Sequence, residues 1–289
     1  MTASMSGTLF VVATPIGNLE DITLRALRVL READVIAAED TRRTAGLLAH
    51  HGITTRTISF HAHNIRTRLP QLMARLQAGE RVALVTDAGT PGVSDPGIEL
   101  VNGCVAAGIA IDPIPGASAP LTAAVASGFP LAPFTFLGFP PHKAKDRTRW
   151  FEDASRNSGT LCFFEAPHRI VRILNEAARY FVNRPIVVGR ELTKLHQEFL
   201  RGTAIEVAAR LENPRGEFTL VVGPLEMLSD SASPDAIPAS DAELLDQFGR
   251  ITEHRGLGRR EAVATLAKTH GRAARDIYAA IERGKQSVD

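Results

Sequence analysis

Short apolar runs alternate with amphipathic stretches through the first 115 residues, and this alternation restricts the fold more than any other feature of the sequence. Residues 8–14, 34–38, 81–86 and 109–113 read as strands, with a shorter extended run at 57–60. Between them, residues 21–33, 41–51, 64–77 and 96–107 carry helical spacing, as in Leu24, Leu27 and Leu30. Asp21 stands where a helix cap is expected, and Asp95-Pro96 reads as cap and first residue of a later helix. Strands that are apolar on both faces and joined through helices call for a parallel sheet covered on both sides.

The pattern restarts after Pro115. Helices are expected at 117–127, 145–155, 168–181 and near 204–211, and strands at 134–137, 161–164, 186–189 and 217–222. Runs at Phe134, Glu198–Arg201 and Glu217 look hairpin-prone, which makes the second sheet mixed. The expected architecture is α/β. It has an N-terminal domain over residues 1–115 with a parallel sheet and a second α/β domain over 116–228 with a mixed sheet. Residues 229–240 (S-D-S-A-S-P-D-A-I-P-A-S) form a linker by composition. Residues 241–289 form a small helix-turn-helix-like basic module, with helices at 259–269 and 273–283 joined at Gly271.

Charge narrows the function classes. Lys and Arg number 33 against 32 Asp and Glu, so the net charge of +1 argues against a globally basic nucleic-acid binder. The balance is uneven, however: +2 over residues 1–228, −5 over 229–249 and +4 over 250–289. Residues 113–142 contain no Asp, Glu, Lys or Arg, but seven prolines break that stretch and exclude a spanning helix. The amino-terminal end lacks the basic and long apolar regions of a signal peptide, so a cytoplasmic protein without membrane contact is expected. Two cysteines, Cys104 and Cys162, are too few for a thiolate zinc cluster and read as reduced thiols; no metal is expected.

Three loops that follow strands carry the chemistry. T-P-I-G-N-L ends the first strand and matches neither a Walker motif nor G-x-G-x-x-G. D-A-G-T-P-G-V-S-D-P-G, beginning at Asp87, puts three glycines and two prolines in eleven residues, a backbone shaped to approach a ligand closely. P-I-P-G-A-S-A, beginning at Pro113, adds a glycine turn and a helix start made of small residues. All three lie at carboxyl ends of strands, where parallel sheets bind ligands.

With A-A-E-D-T-R, F-H-A-H-N, F-F-E-A-P-H-R, R-E-L-T-K and G-E-F-T-L-V-V-G, these segments resemble the ribosomal-RNA-methylating branch of the tetrapyrrole methylase superfamily. The resemblance runs from about Gly7 to Pro224, and the tail resembles that branch's helical module. It implies two α/β domains with S-adenosylmethionine between them, a homodimer, and 2'-O-methylation of a cytidine in the decoding region of 16S rRNA in the small ribosomal subunit. Carried over residue by residue, it sets the cofactor against Pro15, Asp87, Ala88, Gly89, Val93, Ser94, Ser118 and Ala119. Phe164 and Pro224 contribute from the second domain.

Methyl transfer is an in-line displacement, so the enzyme must align the acceptor oxygen and help it lose a proton. Asp40 and His61 lead as bases and Glu165 follows. Each also has a plain structural reading: Asp40 as a helix cap, His61 as a hydrogen-bonded rim residue, Glu165 as a partner for Arg169. Phosphate contacts are expected from Arg42, Lys143, Lys145, Arg147, Arg149, Arg169 and Lys194, with Trp150 beside the 143–149 cluster as a base-stacking surface or a core residue. Two rival readings are a small-molecule tetrapyrrole methylase and a non-catalytic assembly factor.

Overall fold

The computed structural model describes residues 7–225, 240–255, 258–270 and 272–286. The chain divides into two compact units, residues 1–224 and 225–289.

The first sheet holds β1 (Thr8–Val12), β2 (Val35–Ala38), β3 (Thr57–Ser59), β4 (Arg81–Val85) and β5 (Ala110–Ile114). Its order is β3-β2-β4-β1-β5, and every pair is parallel. Helices α1 (Leu24–Glu32), α2 (Thr41–His50), α3 (Ile65–Gln77) and α4 (Ile98–Ala107) connect the strands. Alternate strand residues feed two separate cores. Phe10, Val12, Ile36 and Ala83 pack against Val29 and Leu30, while Leu9, Val35, Val82 and Leu84 pack against Leu72, Leu76 and Leu100. A period of two with apolar residues on both faces therefore buries the sheet on both sides, as the sequence pattern requires.

The second sheet orders β6 (Phe134–Phe136), β7 (Thr160–Glu165), β10 (Phe218–Val222), β8 (Ile186–Arg190) and β9 (Glu198–Gly202). The β6–β7 pair is parallel and the other pairs are antiparallel, so the sheet is mixed. The run at Phe134 is thus no hairpin arm, whereas Glu198–Gly202 does return antiparallel on β8. Helices α5 (Ala119–Ser127), α6 (Ala144–Ser155), α7 (Ile170–Ala177) and α8 (Ala204–Arg210) cover it. Cys104 and Cys162 are buried and free, and burial raises their thiols to about 11 and about 12. No described helix is long and apolar enough to cross a membrane.

Two helix starts differ from the sequence reading. Asp21 lies in a single 3-10 turn, Leu19–Asp21, and Thr23 caps α1 by accepting the Ala26 N–H at 3.1 Å. Helix α4 begins at Ile98 behind Gly97, whose φ of 141° no side-chain-bearing residue adopts easily, so Asp95 is released from capping.

Among its described residues the smaller unit has three helices where two were expected: α9 (Asp241–Arg255), α10 (Arg259–Thr269) and α11 (Ala274–Gln286). They share a core of Leu244, Phe248, Ala262, Leu266, Ile277 and Ile281. Apart from Ser240, the expected linker lies outside the described residues, and so does Gly271. Ser240 opens α9 by accepting the Glu243 N–H at 3.3 Å while Glu243 takes the Ser240 N–H at 2.8 Å, a reciprocal cap. Asp241 pairs with Arg283 at 2.7 Å. Three of the five acids in residues 229–249, Asp241, Glu243 and Asp246, thus belong to α9. Residues 240–289 hold nine basic and eight acidic side chains, a net +1 rather than a strongly basic tail.

Candidate active site

The loops leaving β1 and β4 are tied together at the carboxyl edge of the first sheet. The Thr14 N–H donates to the Gly89 carbonyl at 2.9 Å, the Gly89 N–H returns to the Thr14 carbonyl at 3.0 Å, and Thr14 Oγ1 donates to the Thr86 carbonyl at 3.1 Å. The connections after β1 and β4 run to opposite sides of the sheet, the arrangement that opens a crevice for ligands. The rim also meets the second sheet. Gly17 packs so tightly on residues 192–194 that an added Cβ would lie 2.5 Å from Lys194 Cγ, and the Asn18 N–H donates to Thr193 Oγ1 at 3.0 Å.

A cavity of about 330 Å³ lies between the two sheets, within the size range of small-molecule sites. From the first half it is lined by Ile16, Ala88, Gly89, Thr90, Val93, Ser94 and Asp95, and from α5 by Ser118, Ala119 and Pro120. The second sheet contributes Phe164, Glu165, Ala166, Pro167, Leu192 and residues 216–219, and Phe139 stands at the mouth. Phe139 is half exposed, and its ring lies 5.3 Å from that of Phe164. Gly89 has a φ of +78°, and a Cβ there would meet Ile16 Cγ2 at 3.4 Å, so glycine keeps this part of the wall open.

Of the expected cofactor contacts, Ala88, Gly89, Val93, Ser94, Ser118, Ala119 and Phe164 meet around this cavity. Pro15, Asp87 and Pro224 do not line it. Pro15 is buried beside Ile16, which takes its place. Asp87 accepts the Asp40 N–H at 3.0 Å and pairs with Arg43 at 3.3 Å. Pro224 follows the far end of β10, whose opposite end, Phe218 and Thr219, is the one that faces the cavity. The sequence reading misses Asp95, Thr90, Ile16 and residues 216–219. For Asp95 and Thr90 a signal existed, since both sit inside the glycine-rich loop.

The expected bases separate sharply. Asp40 is the N-cap of α2, accepting the Arg42 N–H at 2.8 Å and pairing with the Arg42 guanidinium at 2.9 Å. Those bonds to Arg42 hold its carboxyl down at about 2, which makes it a weak base, and it does not line the cavity. His61 also lies off the cavity, bound into a local cluster in which Asn64 Oδ1 accepts the His61 N–H at 2.9 Å. Glu165 does line it. The Glu165 side chain is fully buried, and its Oε1 accepts the Ala166 N–H at 2.7 Å. Its Oε2 faces Arg169 at 3.3 Å without a hydrogen bond, and burial raises this carboxyl. Since Asn caps as well as Asp, Asp40→Asn is expected to leave the single-turnover rate within about threefold of the parent. Because the folded pKa of Asp40 is depressed, its stabilising contacts are complete above about pH 4 and fade as pH falls toward 2. An acid titration followed by circular dichroism should lose that increment in the Asn variant.

Four of the seven expected phosphate contacts already pair with carboxylates of the protein: exposed Arg42 with Asp40, and Arg147, Arg169 and Lys194 as follows. Arg147 is buried, with Nε at 2.6 Å and Nη2 at 2.9 Å from the two Glu176 oxygens. Arg169 is buried and donates to the Pro140 carbonyl at 2.8 Å. Lys194 bridges Glu191 and Glu217 at 3.0 Å each. Trp150 is partly buried and packs against the core, edge-on to Phe151 and Phe163 at 5.0 and 5.3 Å. Arg42, Lys143, Lys145 and Arg149 are exposed.

Comparison with known proteins agrees with this geometry. A family model described as Tetrapyrrole (Corrin/Porphyrin) Methylases matches residues 8–208. The chain is 45% identical over 94% of its length to a Halalkalibacterium halodurans protein, and 43% identical over 94% to one from Synechocystis. It covers 93% and 96% of those two proteins, and each is named ribosomal RNA small subunit methyltransferase I. Among solved structures it resembles diphthine synthase (TM-score 0.60, 14% identity, 75% of this chain and 90% of that one). It also resembles Thermus thermophilus uroporphyrin-III C-methyl transferase complexed with S-adenyl homocysteine (TM-score 0.54, 21% identity, 75% and 97%).

Proposed function

The chain belongs to the tetrapyrrole methylase family, and from that premise we propose that it transfers a methyl group from S-adenosylmethionine to small-subunit ribosomal RNA, at the 2'-oxygen of cytidine 1402 in the 16S molecule. One observation carries this reading against a small-molecule methylase. The similar solved structures correspond to about three quarters of this chain, whereas the ribosomal RNA relatives match 94% of it. The family model ends at residue 208, so the smaller helical unit goes with the relatives named for ribosomal RNA.

The cavity suits the proposed cofactor. Ile16, Val93, Leu192 and Phe218 offer apolar surface to an adenine, and Thr90, Ser94 and Ser118 offer hydroxyls. When bound, the cofactor supplies an electrophilic methyl on a positively charged sulfur. The chain's own residues orient and desolvate: Gly89 leaves room at the wall, Phe139 and Phe164 flank the mouth, and the Gly17 contact closes the rim. The exposed cations Arg42, Lys143, Lys145 and Arg149 are proposed to meet RNA phosphates. A homodimer is proposed as well, and the exposed apolar residues Ile98 and Val105 of α4 and Leu121 and Val125 of α5 support it. A cytoplasmic location follows from the proposed substrate.

The reading is tested by incubating purified protein and labelled cofactor with isolated small subunits, with naked 16S rRNA and with tetrapyrroles, then mapping the modified nucleotide. Label on a tetrapyrrole, or on no RNA, would sink it. Removing residues 240–289 is expected to lower the rate on subunits by at least about tenfold, equivalent to about 1.4 kcal/mol of docking, with cofactor affinity unchanged.

A further inference from the structure

The proton of the accepting hydroxyl still needs a destination. Of the carboxylates that line the cavity, Glu165 is held against Arg169, and Glu217 is bound to Lys194. Asp95 differs from both. It is half-buried in the cavity wall between Ser94 and Pro96, and the charges that act on it, Glu39 at the end of β2 and Asp87 at the end of β4, are both negative. The Gly97 conformation that starts α4 two residues late is what frees Asp95 from capping duty and leaves it in the wall.

We propose that the Asp95 carboxylate is the base of this enzyme, taking the proton of the methyl-accepting ribose hydroxyl. The proposal rests on the ribose-methylating function argued above. The O–H bond breaks and its proton goes to Asp95; an oxygen electron pair forms the new bond to the methyl carbon. The carbon–sulfur pair stays on sulfur, which becomes a neutral thioether. Charge balances, because one carboxylate and one sulfonium are consumed together.

The surroundings of Asp95 suit this task. Burial, with Glu39 and then Asp87 adding repulsion, lifts it to about 6 against the Thr86 hydroxyl, whose hydrogen-bonding pull lowers it. Arg43 on α2 partly offsets Asp87, and across the cavity Glu165 and Glu217 are themselves offset by Arg169 and Lys194. A base near 6 is still ionised at neutral pH, yet it holds a proton better than an ordinary carboxylate. The reactive form is the anion, so kcat/KM is expected to fall as pH drops through about 6.

The test uses the full chain with Asp95→Asn and Asp95→Glu. Calorimetry of cofactor binding, single-turnover methylation of small subunits from about pH 5 to 9, and carbon-13 NMR of labelled aspartate in the ligand-free protein are measured together. In the parent, one side-chain carboxyl signal, absent from D95N, should titrate near pH 6. D95N should bind cofactor within about threefold of the parent yet turn over about 100-fold more slowly or worse, and D95E should recover part of the rate with a displaced acid limb. Near-parental turnover in D95N, an ordinary titration near 4, or loss of cofactor binding in D95N would each overturn the assignment. If the parent itself puts no label on RNA, the ribosomal function fails first and takes this proposal with it.

Discussion

Arg184→Ala is expected to lower the melting temperature of the larger unit by about 10 °C. Arg184 is 2% exposed and has no carboxylate partner among the described residues. It donates from Nε to the Gly223 carbonyl at 2.6 Å, from Nη1 to Asn157 at 2.8 Å and from Nη2 to Gly159 at 2.6 Å. These carbonyls lie at the end of β10 and just before β7, and Arg184 itself precedes β8, so one guanidinium ties three neighbouring strands at the edge away from the cavity. Burial lowers its pKa to about 10, so it remains charged at neutral pH. Truncation strands two buried acceptors and a part-buried one, each buried one costing about 1 kcal/mol or more, and leaves a cavity as well; a total of about 3–5 kcal/mol follows. At about 2–4 °C per kcal/mol for a unit of this size, the shift should be plain in a thermal scan. A change below about 3 °C would mean that water or neighbouring donors replace all three bonds.

Gly89→Val is expected to weaken S-adenosylmethionine binding by at least about 100-fold, about 2.7 kcal/mol, while the fold survives. Both polar groups of the Gly89 backbone are bonded to Thr14, so the chain cannot rotate away from its φ of +78° without parting the two loops. Valine at that φ is strained by about 1–2 kcal/mol, and its methyl groups must enter the space between Ile16 and the Ala117 carbonyl. Calorimetry with parallel circular dichroism separates the outcomes. Affinity within threefold of the parent would show that the cofactor lies elsewhere.

Much of the fold is legible in the sequence because its causes are local. Strands apolar on both faces announce a covered parallel sheet, and the glycines after Asp87 announce a backbone that something must approach. Where sequence and structure part, the causes are long-range. Pro224, expected from the family resemblance, follows the carboxyl end of β10. Since β10 runs antiparallel to β7, Phe218 pairs with Glu165 and the amino-terminal end of β10 faces the cavity. The sequence shows that Arg147 and Lys194 are cations, but Glu176 and Glu217 lie 29 and 23 residues away, and only folding reveals those pairs; the Arg169–Glu165 pair, four residues apart, is one the sequence already allows. Helix α9 escapes a reading by composition because its acidic first turn resembles the linker before it.

By itself, the sequence determined the alternation of layers, the two sheets, the glycine-lined loops and the chemistry those loops could hold, because periodicity and backbone permissiveness are written residue by residue. The tertiary structure decided which charges remain free and which carboxylate faces the cavity. Asp40 and Asp95 are the same residue type at the same sheet edge. One is neutralised by a neighbouring guanidinium and held near 2, while the other is half-buried among like charges and lifted to about 6. For Asp40 the cause is Arg42, two residues along the chain; for Asp95 it is burial and the approach of Glu39 from another strand, which no local pattern records.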